Sequence, residues 1–144
     1  MGLDQNKLVA RRFFEDAYNT GRLDLLDELL GADYADHKAP PGTPRGPEGI
    51  KRVITMFRTA FPDLRFTIED QVAEGDKVVT RYTFEGTHRG TLTGIPATGK
   101  RVGISGVSIY RIADGKMQEA WIEYDLLGMM QQLGVVPAPT QASA

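Results

Sequence analysis

Cysteine is absent from this chain, which excludes a disulfide framework, a thiolate nucleophile, iron–sulfur ligation and cysteine-bound zinc. Histidine occurs twice and tryptophan once, so any histidine-based metal site starts from a thin supply. No apolar run approaches the roughly 18 residues that a membrane-spanning helix requires, and the opening MGLDQNKLVARRFF has no uninterrupted apolar core of the signal-peptide kind. A cytoplasmic protein without a membrane partner is expected. The net charge of -2 and pI near 5.7 argue against a surface built to neutralise phosphates, so nucleic acid is not an expected partner. Also missing are a Gly-x-x-x-x-Gly-Lys phosphate loop, a dinucleotide fingerprint, a nucleophile elbow and a His-Glu-x-x-His pair. Neither a cofactor nor a metal is predicted.

What remains is 144 residues at 41% hydrophobic composition, enough for one domain with a substantial core. That domain is expected to span residues 1–134, followed by VVPAPTQASA (135–144) as a disordered tail. Apolar positions 9, 13 and 17 and again 10, 14 and 18 make a helical stripe. The leucines at 25, 26, 29 and 30 predict a short second helix, with Gly31 as a left-handed cap. Residues 33–47, with four prolines and two glycines, read as a loop. Pro47 opens a third helix whose face is Ile50, Val53, Ile54, Phe57 and Phe61, and Pro62 stops it.

Beyond Pro62 the period becomes two. Strands are predicted around residues 64–69, 77–85, 101–112 and 117–125, joined by Gly75-Asp76, a glycine-rich connection over 86–99 and an Asp114-Gly115 hairpin. Three helices followed by an antiparallel meander make the class α+β. Many large apolar groups, among them Phe13, Phe14, Phe57, Tyr82 and Tyr110, serve first as core. Helices laid over a concave sheet also leave pockets, and aromatic walls suit a flat, polycyclic or steroid-like ligand.

The groups with chemistry concentrate in the last strand. Glu119, Trp121, Glu123 and Asp125 alternate with Ala120, Ile122 and Tyr124, and the period cannot say which set faces inward. Trp121 and Asp125 are expected near a cavity and Glu119 in solvent; a bulge would turn Glu123 inward. Arg81, mid-strand, needs a carboxylate partner, for which Glu119, Glu123 and Asp125 are the candidates, or water, and a cross-strand ion pair on an exposed face is slightly favoured over an anion or enolate contact inside a cavity. His37 has Asp36 beside it and Asp33 near it to tune its proton affinity. For His88, a loop histidine bonded to backbone or water is as good a reading as a binding role.

The chain resembles the SnoaL-like polyketide cyclases, a branch of the nuclear transport factor 2-like superfamily. The resemblance is carried by Phe13-Phe14 to Asn19-Thr20-Gly21, Asp33-Tyr34 to His37, Phe61-Pro62-Asp63, Gly75 to Arg81, Gly86-Thr87-His88-Arg89-Gly90, Gly94 to Lys100, and Arg111 to Lys116 through Trp121, Asp125 and Gln132-Leu133-Gly134. It implies N-terminal helices on a curved, mainly antiparallel sheet, a cone-shaped half-barrel with an internal pocket, and assembly as a homodimer or homotetramer. It further implies an intramolecular aldol ring closure without metal or organic cofactor, with an aspartate on the last strand and a histidine on the preceding one. Here those two positions carry Ile122 and Ser108. The remaining matches to the broader family are His37, Arg81, His88, Trp121 and Asp125. Asp125, or Glu123 if a bulge turns it inward, is the candidate catalytic base with His37 and Arg81 as donor or oxyanion contact, and Trp121, Tyr34, Phe57, Tyr82 and His88 are the candidate binding groups for a hydrophobic carbonyl compound. A cofactor-independent oxygenase acting on an aromatic polyketide, and a non-catalytic binding or oligomerisation domain, are the alternatives.

Overall fold

The structure, a computed structural model, describes residues 2–137; most of the tail expected to be disordered lies outside the described residues. Helix α1 (Leu3–Arg12) runs into a π-helical stretch (Phe13–Tyr18). The wider turn there places Phe13, Phe14, Ala17 and Tyr18 together on the buried side. A 3-10 turn (Leu23–Leu25) continues into α2 (Leu26–Leu29), and β1 (Leu30–Asp36) follows without a gap. Then come α3 (Pro47–Ala60), β2 (Arg65–Glu74), β3 (Lys77–Thr87), β4 (Arg101–Ala113), β5 (Lys116–Tyr124) and α4 (Leu126–Leu133).

The five strands form one mixed sheet in the order β1-β5-β4-β3-β2. From β2 to β5 it is the expected antiparallel meander, closed by a hairpin whose two turn residues, Asp114 and Gly115, both have positive φ. β1 corrects the sequence reading in two ways. It occupies a segment expected to be loop, and it lies parallel to β5, so one strand precedes the third helix. Gly31 is no helix cap. It sits in β1 under the side chain of Gln118, where a Cβ would collide with the amide.

The helices cover one face of the curved sheet. Ala10, Phe13, Phe14, Ile50 and Ile54 pack on Val78, Phe84, Val102, Ile104 and Tyr110, all buried. Residue parity on β3 and β4 is clean, with even numbers inside. On β5 it is not: Gln118 has no partner on β4, because Arg111 pairs with Glu119 while Ile112 pairs with Met117. This bulge brings Met117 inward and then Ala120, three residues on. Among the described residues, no helix is long and apolar enough to cross a membrane.

Candidate active site

Between the helices and the sheet lies a cavity of about 250 Å³, at the small end of ligand sites. Its inner wall is aromatic. Phe14 meets Phe66, Tyr82 and Tyr110 at ring-centroid distances of 5.2, 5.0 and 6.0 Å. Phe57 and Phe84 close the side under α3, at 6.4 Å from each other. The mouth is framed by Lys38, Pro40 and Pro41 after β1, Thr93 of the 88–99 connection, and Leu126 of α4.

One carboxylate lines this cavity among the described residues: Asp36, at the end of β1. Parallel pairing sets it opposite Ala120, a small residue that leaves the carboxylate room over the inner face. Oδ1 accepts the backbone amide of Lys38 at 2.8 Å, an Asx-type turn that starts the proline-rich loop. Burial raises the Asp36 pKa, and the loop amides offset this only in part. Tyr18, Tyr34, Tyr82 and Tyr124 all lie close enough to feel its charge.

The remaining polar wall is hydroxylic. Ser108 and Tyr110 of β4 and Tyr82 of β3 lie on the inner face. Burial holds Tyr110 well above its ordinary value and pushes Tyr82 up to about 12, while Ser108 acts in the opposite direction on each. Ile122 also faces the cavity. Both positions where the family resemblance expects chemistry are therefore wall positions, occupied by a hydroxyl and a hydrocarbon.

Most of the residues singled out from the sequence lie elsewhere. The Gln118 bulge sits at the start of β5 and leaves the end of the strand regular, so even residues face inward and Glu123 is not turned in. Its side chain is 87% exposed, 3.5 Å from Lys38. Trp121 is on the outer face, 38% exposed, stacked on the His37 ring at 5.3 Å. His37 Nε2 lies 2.8 Å from Glu119, which also accepts Arg111 Nε at 2.8 Å. Glu119 is thus a node of an outer-face network and not an isolated solvated acid. Arg81 is likewise outside and donates to Asp70 of β2 at 2.7 Å, a cross-strand pair of the kind expected but with a partner on β2 in place of Glu119, Glu123 or Asp125. Asp125 caps α4, accepting the Gly128 amide at 2.8 Å.

Of the predicted binding residues, Phe57 and Tyr82 line the cavity. Tyr34 is buried at a separate recess of about 80 Å³ behind the loop after β1. His88 is fully buried and ties the 88–99 connection together: its Nδ1 accepts the Thr98 amide at 3.2 Å and lies 3.0 Å from Thr98 Oγ1. Sequence reasoning missed Asp36 as an acid in its own right because the segment around it lacked a strand pattern; its neighbour His37 drew the attention. Among the described residues, no three His, Asp or Glu side chains gather as a metal cluster.

Comparison with known proteins agrees with this architecture. A family profile described as SnoaL-like polyketide cyclase matches residues 8–133. The aklanonic acid methyl ester cyclase DnrD of Streptomyces peucetius is 36% identical over 135 residues, spanning 92% of each chain. The nogalonic acid methyl ester cyclase of Streptomyces nogalater is 32% identical over 82% of this chain and 90% of its own. The solved structure of TsrD from Streptomyces laurentii superposes with a TM-score of 0.87 at 36% identity, covering 94% of this chain and 99% of that one. With its α+β half-barrel, aromatic cavity and end-to-end sequence match, the chain belongs to the SnoaL-like polyketide cyclase family.

Proposed function

We propose that this cyclase binds a flat, hydrophobic, polycyclic carbonyl compound in the cavity and closes a ring on it by proton transfer through Asp36. The observation that carries the reading is that, among the described residues, a single carboxylate, its pKa raised by burial, stands on an otherwise aromatic and hydroxylic wall. Desolvation strengthens a carboxylate as a base and moves its ionisation towards the working pH. Asp36 takes a proton from the carbon next to a carbonyl, and the C–H electron pair becomes that of the enolate. The enolate carbon then forms a C–C bond to a second carbonyl carbon, whose oxygen receives the proton back from Asp36. Relatives named as cyclases of acid methyl esters support a substrate of that class.

The reading includes a cytoplasmic homodimer. Val72, Val79, Ile109 and Trp121 lie in one register row across β2, β3, β4 and β5, with Val72 62% exposed. The row is flanked by the Arg81–Asp70 and Lys38–Glu123 pairs, so both signs of charge are available to a second copy turned about a two-fold axis.

The proton-transfer step is tested without the natural substrate. The protein is incubated with 2-tetralone in D2O, and loss of the α-proton signals is followed by NMR. Exchange above the buffer rate is expected, with Asp36→Asn slower by about 100-fold or more. Undiminished exchange in a folded Asp36→Asn protein overturns the assignment. Ketone binding without any exchange returns the cavity to a holding role.

A further inference from the structure

The cavity contains an arrangement that proton abstraction by Asp36 leaves unused. Ser108 is 1% exposed and Tyr110 fully buried, yet Ser108 Oγ and Tyr110 Oη have no hydrogen-bond partner among the described residues. Two hydroxyls buried in this way are an expense that a core made for stability avoids. Ser108 is nevertheless close enough to Tyr82 and Tyr110 to lower the pKa of both phenols.

Tyr82 reaches across the sheet from β3 to β4. Its hydroxyl lies over Gly106 of β4: a Cβ on that residue would sit 2.6 Å from Tyr82 Oη and Cζ. Glycine here permits a close approach instead of supplying a turn. The phenol thereby crosses β4 towards β5, where Tyr124 is the register partner of Gly106. Asp36 stands on the far side of β5, in the register row of Ala120 and Tyr110. Base and hydroxyl group therefore flank the inner face of β5 from opposite sides.

We propose that Tyr82, Ser108 and Tyr110 form an oxygen anchor: the Tyr82 hydroxyl donates to the carbonyl oxygen of the bound compound, with Ser108 and Tyr110 aligned behind it. Resting on the cyclase reading above, this assigns Tyr82 as the group that meets the charge developing on the enolate oxygen. Ser108 and Tyr110 are positioning residues. Hydroxyls donating in series polarise one another, so the terminal donor is stronger than a lone phenol. An enolate held this way leaves its α-carbon on the Asp36 side, which fixes the orientation of the substrate. A donor directed at the developing oxyanion is what an aldol closure needs besides a base.

The test compares two ligands with one ring skeleton, 1-tetralone and tetralin, by calorimetric titration of the intact protein. Tyr82→Phe is expected to weaken 1-tetralone about fivefold, the equivalent of one neutral hydrogen bond, while tetralin stays within about twofold. Ser108→Ala is expected to weaken 1-tetralone by about threefold, again with tetralin unchanged, a selectivity that loss of shape alone does not produce. Equal effects on ketone and hydrocarbon, or none on the ketone, overturn the anchor. If α-proton exchange depends on Asp36 but ketone selectivity survives all three substitutions, including Tyr110→Phe, the anchor fails alone. If selectivity is lost as expected but Asp36→Asn exchanges normally, the anchor stands and the assignment of the base fails.

Discussion

The buried hydroxyl of Tyr110 yields a prediction opposite in sign to that of an ordinary core mutation. A hydroxyl removed from water without a partner costs roughly 1–3 kcal/mol. Ser108 nearby relieves part of this, which sets the expectation at the low end. Tyr110→Phe keeps the ring and its packing on Phe13 and Phe14, at 5.8 and 6.0 Å, and removes one oxygen. The space vacated, on the order of 10 Å³, forfeits about 0.2 kcal/mol at ~24 cal/mol per Å³. The net expectation is a gain of about 1 kcal/mol, a rise in Tm of about 4 °C for a domain of this size. Thermal unfolding followed by circular dichroism measures it, with a urea titration at unchanged slope confirming that the effect lies in stability. Stability should rise while ketone affinity falls. A fall in Tm of about 4 °C would refute the reasoning, because it would mean the hydroxyl is already satisfied in the resting protein. Tyr34→Phe supplies a second case: its hydroxyl is equally unpartnered, so stability should rise there too.

Asp36→Asn should stabilise the protein at neutral pH. The folded-state pKa is raised above the ordinary 3.8, so the folded form holds its proton longer than the unfolded chain. The wild type therefore loses stability as pH rises from 3.8 to that raised value, whereas the variant lacks this loss; urea midpoints across the acid range that run parallel for the two proteins would contradict it. Gly106→Ala should push the Tyr82 phenol aside, at a cost of roughly 1–3 kcal/mol in stability, and weaken 1-tetralone more than tetralin. Equal weakening of the two ligands would separate the glycine from the anchor. Trp121→Lys, on the outer face, should yield a monomer by light scattering with α-proton exchange within about twofold of the original, and an unchanged molar mass would remove the outer row from the dimer interface.

The helix faces and the meander were legible because their signals are local. Ile50, Val53, Ile54 and Phe57 repeat at helical spacing, Pro47 and Pro62 mark the ends, and Asp114-Gly115 has the chemistry of a two-residue hairpin. β1 was hidden for two reasons. Leu30–Asp36 is short, and its parallel partner β5 lies about 80 residues later, with no turn to announce the pairing. The inward face of β5 was undecidable for a different reason. Alternation gives two faces but not their direction, and Gln118 interrupts the count near the start of the strand. Trp121 misled because a large aromatic usually seeks the interior; here its face is covered by the His37 ring. Ser108 was marked only as the residue standing where the resemblance expects a histidine, since what a serine in a strand can do shows only once its neighbours across the sheet are known.

The Gln118 bulge gives the family a way to change chemistry without changing side chains. Every residue of β5 beyond it owes its direction to one uncounted position, and strand parity is a binary property. Drawing that position into the ladder, so that Gln118 paired with Arg111 while the hairpin holds its register, would shift each later residue by one and exchange the two faces. Glu119, Trp121 and Glu123 would turn to the interior, and Ala120, Ile122 and Tyr124 to solvent. A cavity bordered by one acid on β1 would then be bordered by acids on β5 as well. Absorption of the bulge into the ladder, more than substitution along the strand, is the larger evolutionary step open to the cavity wall.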